Sequence, residues 1–284
     1  KKANKAELYT GKMNDSYIAN GVDSYYIGDA EVNLDISNKE LNRIKSIKHV
    51  KSVYPFDVFD TINQMEDVTK GTVYYQGSKT QFDYFQEGSP MVVPYYSFQN
   101  IKVDGKELKG NAMSQSFARK LGIDEKEKNF KISIDVYVPV QQYTYQCEID
   151  DSKTLGTLSQ VLTKKVNLEI EINHIISTDD YYNEFLSAGY VVLMSDQSFY
   201  TILNQYNNQT PDSLLDAKEY NAVITPYQNK NYVVEVERVK NLKSVEKEIS
   251  QISNNFITYD QYNSVTDMVD IYKEERKGRY IFMA

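Results

Sequence analysis

Two periods alternate along the chain. From Asp23, the apolar positions Tyr25, Ile27, Ala30, Val32, Leu34 and Ile36 recur at near-alternate spacing, the pattern of a half-buried strand, and Gly28-Asp29 marks a bulge or turn within it. The spacing then lengthens. Leu41, Ile44, Ile47 and Val50 give one face of a short helix. Ahead of them Ser37-Asn38-Lys39-Glu40 fits a capping box, in which the serine hydroxyl takes one orphan amide and the glutamate reaches back to another. Residues 49–55 read as the next strand, with further candidates at 58–62 and 72–76. The same order returns near the end of the chain: a strand at 232–239, a helix from Asn241-Leu242 carrying Leu242, Val245, Ile249 and Ile252, and a closing strand at 256–259. Val265, Met268, Val269 and Tyr272 follow at i, i+3, i+4 and i+7, which predicts an amphipathic helix over 264–276.

The middle of the chain differs. Residues 111–121 read as a short helix with Met113, Phe117, Ala118 and Leu121 inward and Gly122 as its stop. Residues 132–140 and 166–176 alternate as long strands; in the second, Val166, Leu168, Ile170 and Ile172 oppose Asn167, Glu169, Glu171 and Asn173. Residues 148–153 form a polar connection and 155–162 a short helix. A buried strand at 190–194 leads to a helix from Ser195 with Phe199, Ile202 and Leu203, then a loop over 204–212. Residues 1–11 read as a lead-in or a short helix. The expected fold class is α+β, because short units with a helix on one side of a sheet suit a sandwich better than a doubly wound sheet. One subdomain is expected from 15–105 and 218–284, with 106–217 inserted as a second.

Charge narrows the partners. Across 284 residues, 32 Lys and Arg face 40 Asp and Glu, a net −8 that opposes capture of a phosphate backbone, so no nucleic-acid partner is expected. The chain has 25 Tyr and no Trp. The runs Tyr25-Tyr26, Tyr74-Tyr75, Tyr95-Tyr96 and Tyr143/Tyr145 read as strand formers on half-exposed sheet faces, with a ligand platform as the alternative.

Catalytic signatures are sparse. Cys147 is the sole cysteine, and with His49 and His174 it supplies neither a disulfide nor a His/Cys zinc set. Glu148, Asp150 and Asp151 beside it disfavour a thiolate. Asp150-Asp151 and Asp179-Asp180 lack the ligand spacing of a calcium loop. There is no phosphate-binding Gly-Lys-Ser/Thr string and no Gly-x-Ser-x-Gly elbow. His174 is expected to be a hydrogen-bonded structural side chain, and His49 to favour the dipole at the end of the preceding helix. The expectation is a chain that is not an enzyme, with no catalytic, cofactor or metal residue. Eighteen consecutive apolar residues occur nowhere, and the start lacks Met and a signal-like apolar run. The charged stretch 273–279 gives way to Tyr280-Ile281-Phe282-Met283-Ala284, which resembles a water-to-membrane boundary, so the sequence reads as a piece of a longer protein.

Several segments, in order, resemble the MacB-like periplasmic core domain, the extracytoplasmic region of MacB/FtsX-superfamily ABC transporter permeases. Residues 36–55 (ISNKELNRIKSIKHVKSVYP) are similar to its opening strand and helix before a "gV..v.p" strand, with His49 where the family has Gly. Residues 111–122 (NAMSQSFARKLG) resemble its "v.vs..lA..lg" segment, and 166–177 its next strand, without the closing Gly. Residues 190–203 and 232–259 resemble the "vyvp...f..l" and "v.V......v..v...I" elements. The resemblance implies a membrane-proximal porter-like subdomain with an inserted Sabre-like subdomain. It also implies a non-catalytic role coupling cytoplasmic ATP hydrolysis to export of peptides, lipoproteins or toxins, or to a signal across the membrane. Its implied partners are an ABC ATPase subunit or domain, a second permease, and an extracellular protein or peptide. The implied location is the outer face of a cell membrane, and low-complexity Asn, Lys and Tyr richness with one cysteine suits a Gram-positive surface. On this reading Val265, Met268, Val269 and Tyr272 form the stripe of a membrane-coupling helix, and Gly278 is its flex point. Two rivals stand beside it: a surface ligand-binding module such as an adhesin or solute receptor, and a hydrolase, which would need an enclosed cleft holding acids of displaced pKa.

Overall fold

The capping box forms as its spacing predicts. Ser37 N donates to Glu40 Oε2 at 2.8 Å and Glu40 N to Ser37 Oγ at 3.3 Å, opening helix α1 (Asn38–Lys45). The chain then turns at His49, whose φ of 73° lies in the left-handed region that favours glycine. His49 Nδ1 sits 2.9 Å from Glu237 Oε2, so the side chain pairs with a neighbouring carboxylate. Strand β4 (Val50–Pro55) follows. The architecture comes from a computed structural model, which describes residues 6–12, 26–27, 30–31, 36–55, 57–63, 67–94, 102–103, 106–148, 155–176, 189–212, 223–229, 232–238, 241–252 and 256–260.

Segments from the two ends of the chain share one sheet. Strands β1 (Ala6–Lys12), β17 (Tyr232–Val236), β18 (Phe256–Asp260) and β4 form four antiparallel strands in the order β18-β1-β17-β4. Ile44 of α1, Val234 and Val236 of β17, and Leu242, Val245 and Ile249 of α5 (Leu242–Ser250) bury one small core between sheet and helices. The periodicity of both helices thus meets the alternation of one strand. Residues 6–12 are a strand rather than the expected lead-in or helix. Their pairing on both sides, Leu8 with Val234 and with Asp260, supplies what local pattern does not.

A larger mixed sheet holds most of the remaining strands. Its axis is a ribbon of β12 (Phe130–Glu148) and β13 (Leu155–Ile172), 19 and 18 residues long. The expected helix at 155–162 is therefore strand: it pairs with β12 residue by residue, and this partnership overrides local pattern. Val166, Leu168, Ile170 and Ile172 are buried while Asn167, Glu169 and Glu171 are exposed, as the alternation predicts. The strand stops at Asn173, and β14 (His174–Ile176) pairs instead, in parallel, with β11 (Ala112–Ser114). Residues 112–114, read as helix from the sequence, are thus strand. Ser114 caps the shorter helix α3 (Gln115–Lys120), whose chain turns out at Gly122, φ 72°. His174 also departs from expectation, because its buried Nδ1 has no hydrogen-bond partner among the described residues.

Strands β5 (Phe59–Asp60), β6 (Lys70–Tyr75), β7 (Ser78–Asp83), β8 (Met91–Pro94), β15 (Val191–Met194) and β16 (Val223–Pro226) join this sheet, as does the hairpin of β2 (Tyr26–Ile27) and β3 (Ala30–Glu31) at its rim. Strands within 59–94 thus belong to the same sheet as the ribbon, β5 and β6 by pairing with β12 directly. Helix α4 (Asp196–Tyr206), capped by Ser195, buries Phe199 and Leu203 against this core and runs three residues into the expected loop. The fold is α+β. No helix among the described residues is long and apolar enough to cross a membrane.

Candidate functional site

A cleft of about 670 Å³ opens where the chain passes between the two sheets. Residues 56–58 link β4 to β5, residues 227–231 link β16 to β17, and Ile36 and Ser37 lead into α1. All three passages contribute walls, with Pro55, Asp57, Tyr227 and Tyr232 on one side and α4, through Tyr200, Leu203 and Asn204, on another.

A proline in the long ribbon shapes this region. Pro139 cannot donate to the ladder, and the register shifts between Pro139 and Gln141, leaving Val140 as the extra residue of a bulge. The Val140 carbonyl accepts from Asn208 N at 2.7 Å and from Tyr227 N at 3.3 Å. One bulged carbonyl therefore ties both the end of α4 and the start of the 227–231 passage to the larger sheet.

Asp57 occupies the floor. It is 3% exposed, and its carboxylate oxygens accept one phenol each: Tyr200 Oη donates to Oδ2 and Tyr227 Oη to Oδ1, both at 2.8 Å. Burial raises its pKa above the ordinary carboxylate value, against the two tyrosine hydrogen bonds, which lower it. Two residues along, Phe59 stacks on Phe199 with ring centroids 4.0 Å apart and planes 10° from parallel, which docks this stretch on α4. Asp60 is also raised by burial; it accepts from Ile62 N at 3.1 Å and from Ser89 Oγ at 3.1 Å. Asn207 Nδ2 reaches the Tyr227 carbonyl at 3.4 Å, while its buried Oδ1 has no partner among the described residues.

This geometry holds better than it reacts. Glycosidic hydrolysis uses two acids flanking the substrate; Asp57 is the one acid among the described residues lining the cleft, and the protein's own phenols occupy both its oxygens. No group of three or more His, Cys, Asp or Glu suited to a metal ion occurs among the described residues. The acid pairs Asp150-Asp151 and Asp179-Asp180 lie outside the described residues, as do Val265, Met268, Val269, Tyr272 and Gly278 of the expected coupling helix.

Sequence reasoning missed Asp57, Tyr200 and Tyr227. The signal was an aspartate set in the apolar run Tyr54-Pro55-Phe56-Asp57-Val58-Phe59, together with Pro139 inside a strand. The tyrosine runs go elsewhere. Tyr75 donates to Glu127 at 2.9 Å and Tyr143 is buried on β12, while Tyr25, Tyr95 and Tyr96 lie outside the described residues.

No protein-family model and no curated protein matches the sequence. Among solved structures, the chain is similar to the extracellular domain of the noncanonic ABC-type transporter YknZ from Gram-positive bacteria, over 90% of this chain and 100% of that one, at 11% identity and a TM-score of 0.38.

Proposed function

We propose that this chain is the non-catalytic extracellular domain of an ABC transporter permease, with the four-stranded sheet facing the membrane and the larger sheet held away from it. The observation that supports this reading is the pairing of the first and last described strands. Leu8 lies opposite Asp260 and Lys12 opposite Phe256 in an antiparallel pair, so the chain enters β1 and leaves β18 at the same end of one sheet. A domain inserted between two membrane helices requires that arrangement, and a free-standing adhesin or receptor does not. The ordered motifs of the family resemblance point the same way.

On this reading the partners are a cytoplasmic ABC ATPase, a second permease, and an extracellular protein or peptide. The helix expected over 264–276 continues toward the membrane with Val265, Met268, Val269 and Tyr272 against the four-stranded sheet and Gly278 as the point of flexure. Purification of the intact gene product from native membranes in mild detergent tests the proposal. The expected result is co-purification of an ATPase with vanadate-sensitive ATP hydrolysis. A product recovered from the medium or the soluble fraction, free of any ATPase, would overturn it.

A further inference from the structure

The lining of the cleft has a narrow chemistry. Apart from Ser37 and Asp57, its polar side chains are amides and phenols, and no Lys, Arg or His is among the described residues that line it. Asp57 offers a ligand no open charge, because it is 3% exposed and each of its oxygens already accepts a phenol. The cleft therefore has no group to pair with a carboxylate, a phosphate or an ammonium. Its amides are better placed. Asn38 opens α1, Asn204 lies on α4 and Gln228 lies between β16 and β17; all three are exposed, and their side chains make no hydrogen bond to another described residue. Asn207 adds an acceptor to the same lining, the Oδ1 that has no partner among the described residues. The phenols contribute differently. The hydroxyls of Tyr200 and Tyr227 are held at the floor by Asp57, so what these half-buried side chains offer the cleft is ring, fixed in place.

We propose that the cleft binds a short, uncharged oligosaccharide. Two neighbouring hydroxyls on a sugar ring present a donor and an acceptor side by side, and a single amide answers both with its carbonyl and its NH2. The C–H face of the same ring is apolar and packs on an aromatic face, which the pinned phenols supply. Placement favours a sugar over a peptide. The amides converge from three separate elements, which suits a compact ligand with hydroxyls around its circumference. An extended peptide instead presents its N–H and C=O groups in a row, the pattern that a strand edge reads. The volume, about 670 Å³, lies within the range of roughly 300 to 1,000 Å³ usual for small-ligand sites. With Asp57 engaged by the protein itself, the cleft holds a glycan without the pair of acids that would cleave it. The inference concerns the cleft alone and does not rest on the permease reading.

The test titrates the full chain with maltotriose, mannotriose and triacetylchitotriose, read by calorimetry and by saturation-transfer NMR. An uncharged hexapeptide of alternating Ser and Ala, acetylated and amidated, is the comparison ligand. At least one trisaccharide should bind with a dissociation constant of about 1 mM or below, and more tightly than the peptide. Asn204→Ala and Gln228→Ala, both at exposed positions where folding is easily retained, should each weaken that binding by about three- to tenfold, as expected for the loss of one hydrogen bond. Asn204→Trp should abolish it by filling the cleft. Gln205→Ala changes the next exposed residue on α4, outside the lining, and should leave it unchanged. Failure of all three trisaccharides to bind would overturn the proposal, and so would tighter binding of the peptide. Binding that survives Asn204→Ala, Gln228→Ala and Asn204→Trp, or that falls equally in Gln205→Ala, would place the sugar elsewhere and overturn it too.

Discussion

Ile44→Ala tests whether the small core between α1, α5 and β17 stands as a unit of its own. Ile44 is fully buried, and its neighbours in that core are Val234, Val236, Leu242, Val245 and Ile249. The substitution deletes three carbons, worth roughly 2.4 kcal/mol at about 0.8 kcal/mol per buried methylene. A cavity term adds to this where neighbours cannot collapse, and strands held in a ladder on one side with a helix on the other leave little freedom to do so. The expected loss is about 3 to 4 kcal/mol, inside the range of about 2 to 5 kcal/mol seen for such truncations. Urea unfolding followed by far-UV circular dichroism gives the total, and amide exchange read by mass spectrometry gives its location. Peptides covering 242–250 and 50–55 should lose protection, while those covering 130–140 and 196–206 should keep theirs. A loss below about 1 kcal/mol would show that the site relaxes freely. Equal acceleration in both sets of peptides would show that the two sheets unfold together and refute the reasoning.

Other outcomes follow from particular contacts. Burial raises the Asp57 pKa, so the folded protein holds that proton more tightly than the unfolded chain. The stability this group contributes is complete below its unfolded value and is lost as pH rises through its folded value. The melting temperature of Asp57→Asn relative to wild type should therefore climb as pH is raised from about 4 to 7, and a flat or falling difference would contradict this. Ser37→Ala should cost about 1 kcal/mol by removing the cap on α1, measured as a shift in the urea midpoint. Gly71→Ala should cost about 1 to 3 kcal/mol, because a Cβ there would stand 2.3 Å from Thr61 Oγ1 and 2.9 Å from its Cβ, and that hydroxyl is held on the Pro90 carbonyl at 2.9 Å. On the proposed permease reading, Met268→Asp and Gly278→Pro in the full gene product should lower export or resistance at wild-type expression while ATP hydrolysis persists at least in part; full transport by both would refute a coupling role for that helix.

The elements legible in the sequence were those whose partners are local. Ser37 and Glu40 announce α1 because a capping box is complete within four residues. The burial of alternate residues along 166–172 was readable because one face of the strand packs and the other is wet. Elements defined by distant partners were not. Residues 6–12 carry little pattern of their own and become a strand through β17 and β18, more than two hundred residues away in sequence. Residues 155–162 and 112–114 have the local pattern of helix and are strand for the same reason. The cleft was hidden for a further reason: Asp57, Val140, Tyr200 and Tyr227 are scattered along the chain and share no motif, and what unites them is a bulge at Pro139.

The central claim is that this domain stands outside a cell membrane as part of a permease, and surface labelling of intact cells tests it most directly. The full gene product carries Lys79→Cys, an exposed position on the larger sheet, in a Cys147→Ser background. A membrane-impermeant maleimide is applied before and after lysis. The account predicts full labelling of intact cells, with the labelled protein retained in the membrane fraction after an alkaline carbonate wash. Labelling that appears only after lysis, or labelled protein released by the wash or found in the medium, would contradict it.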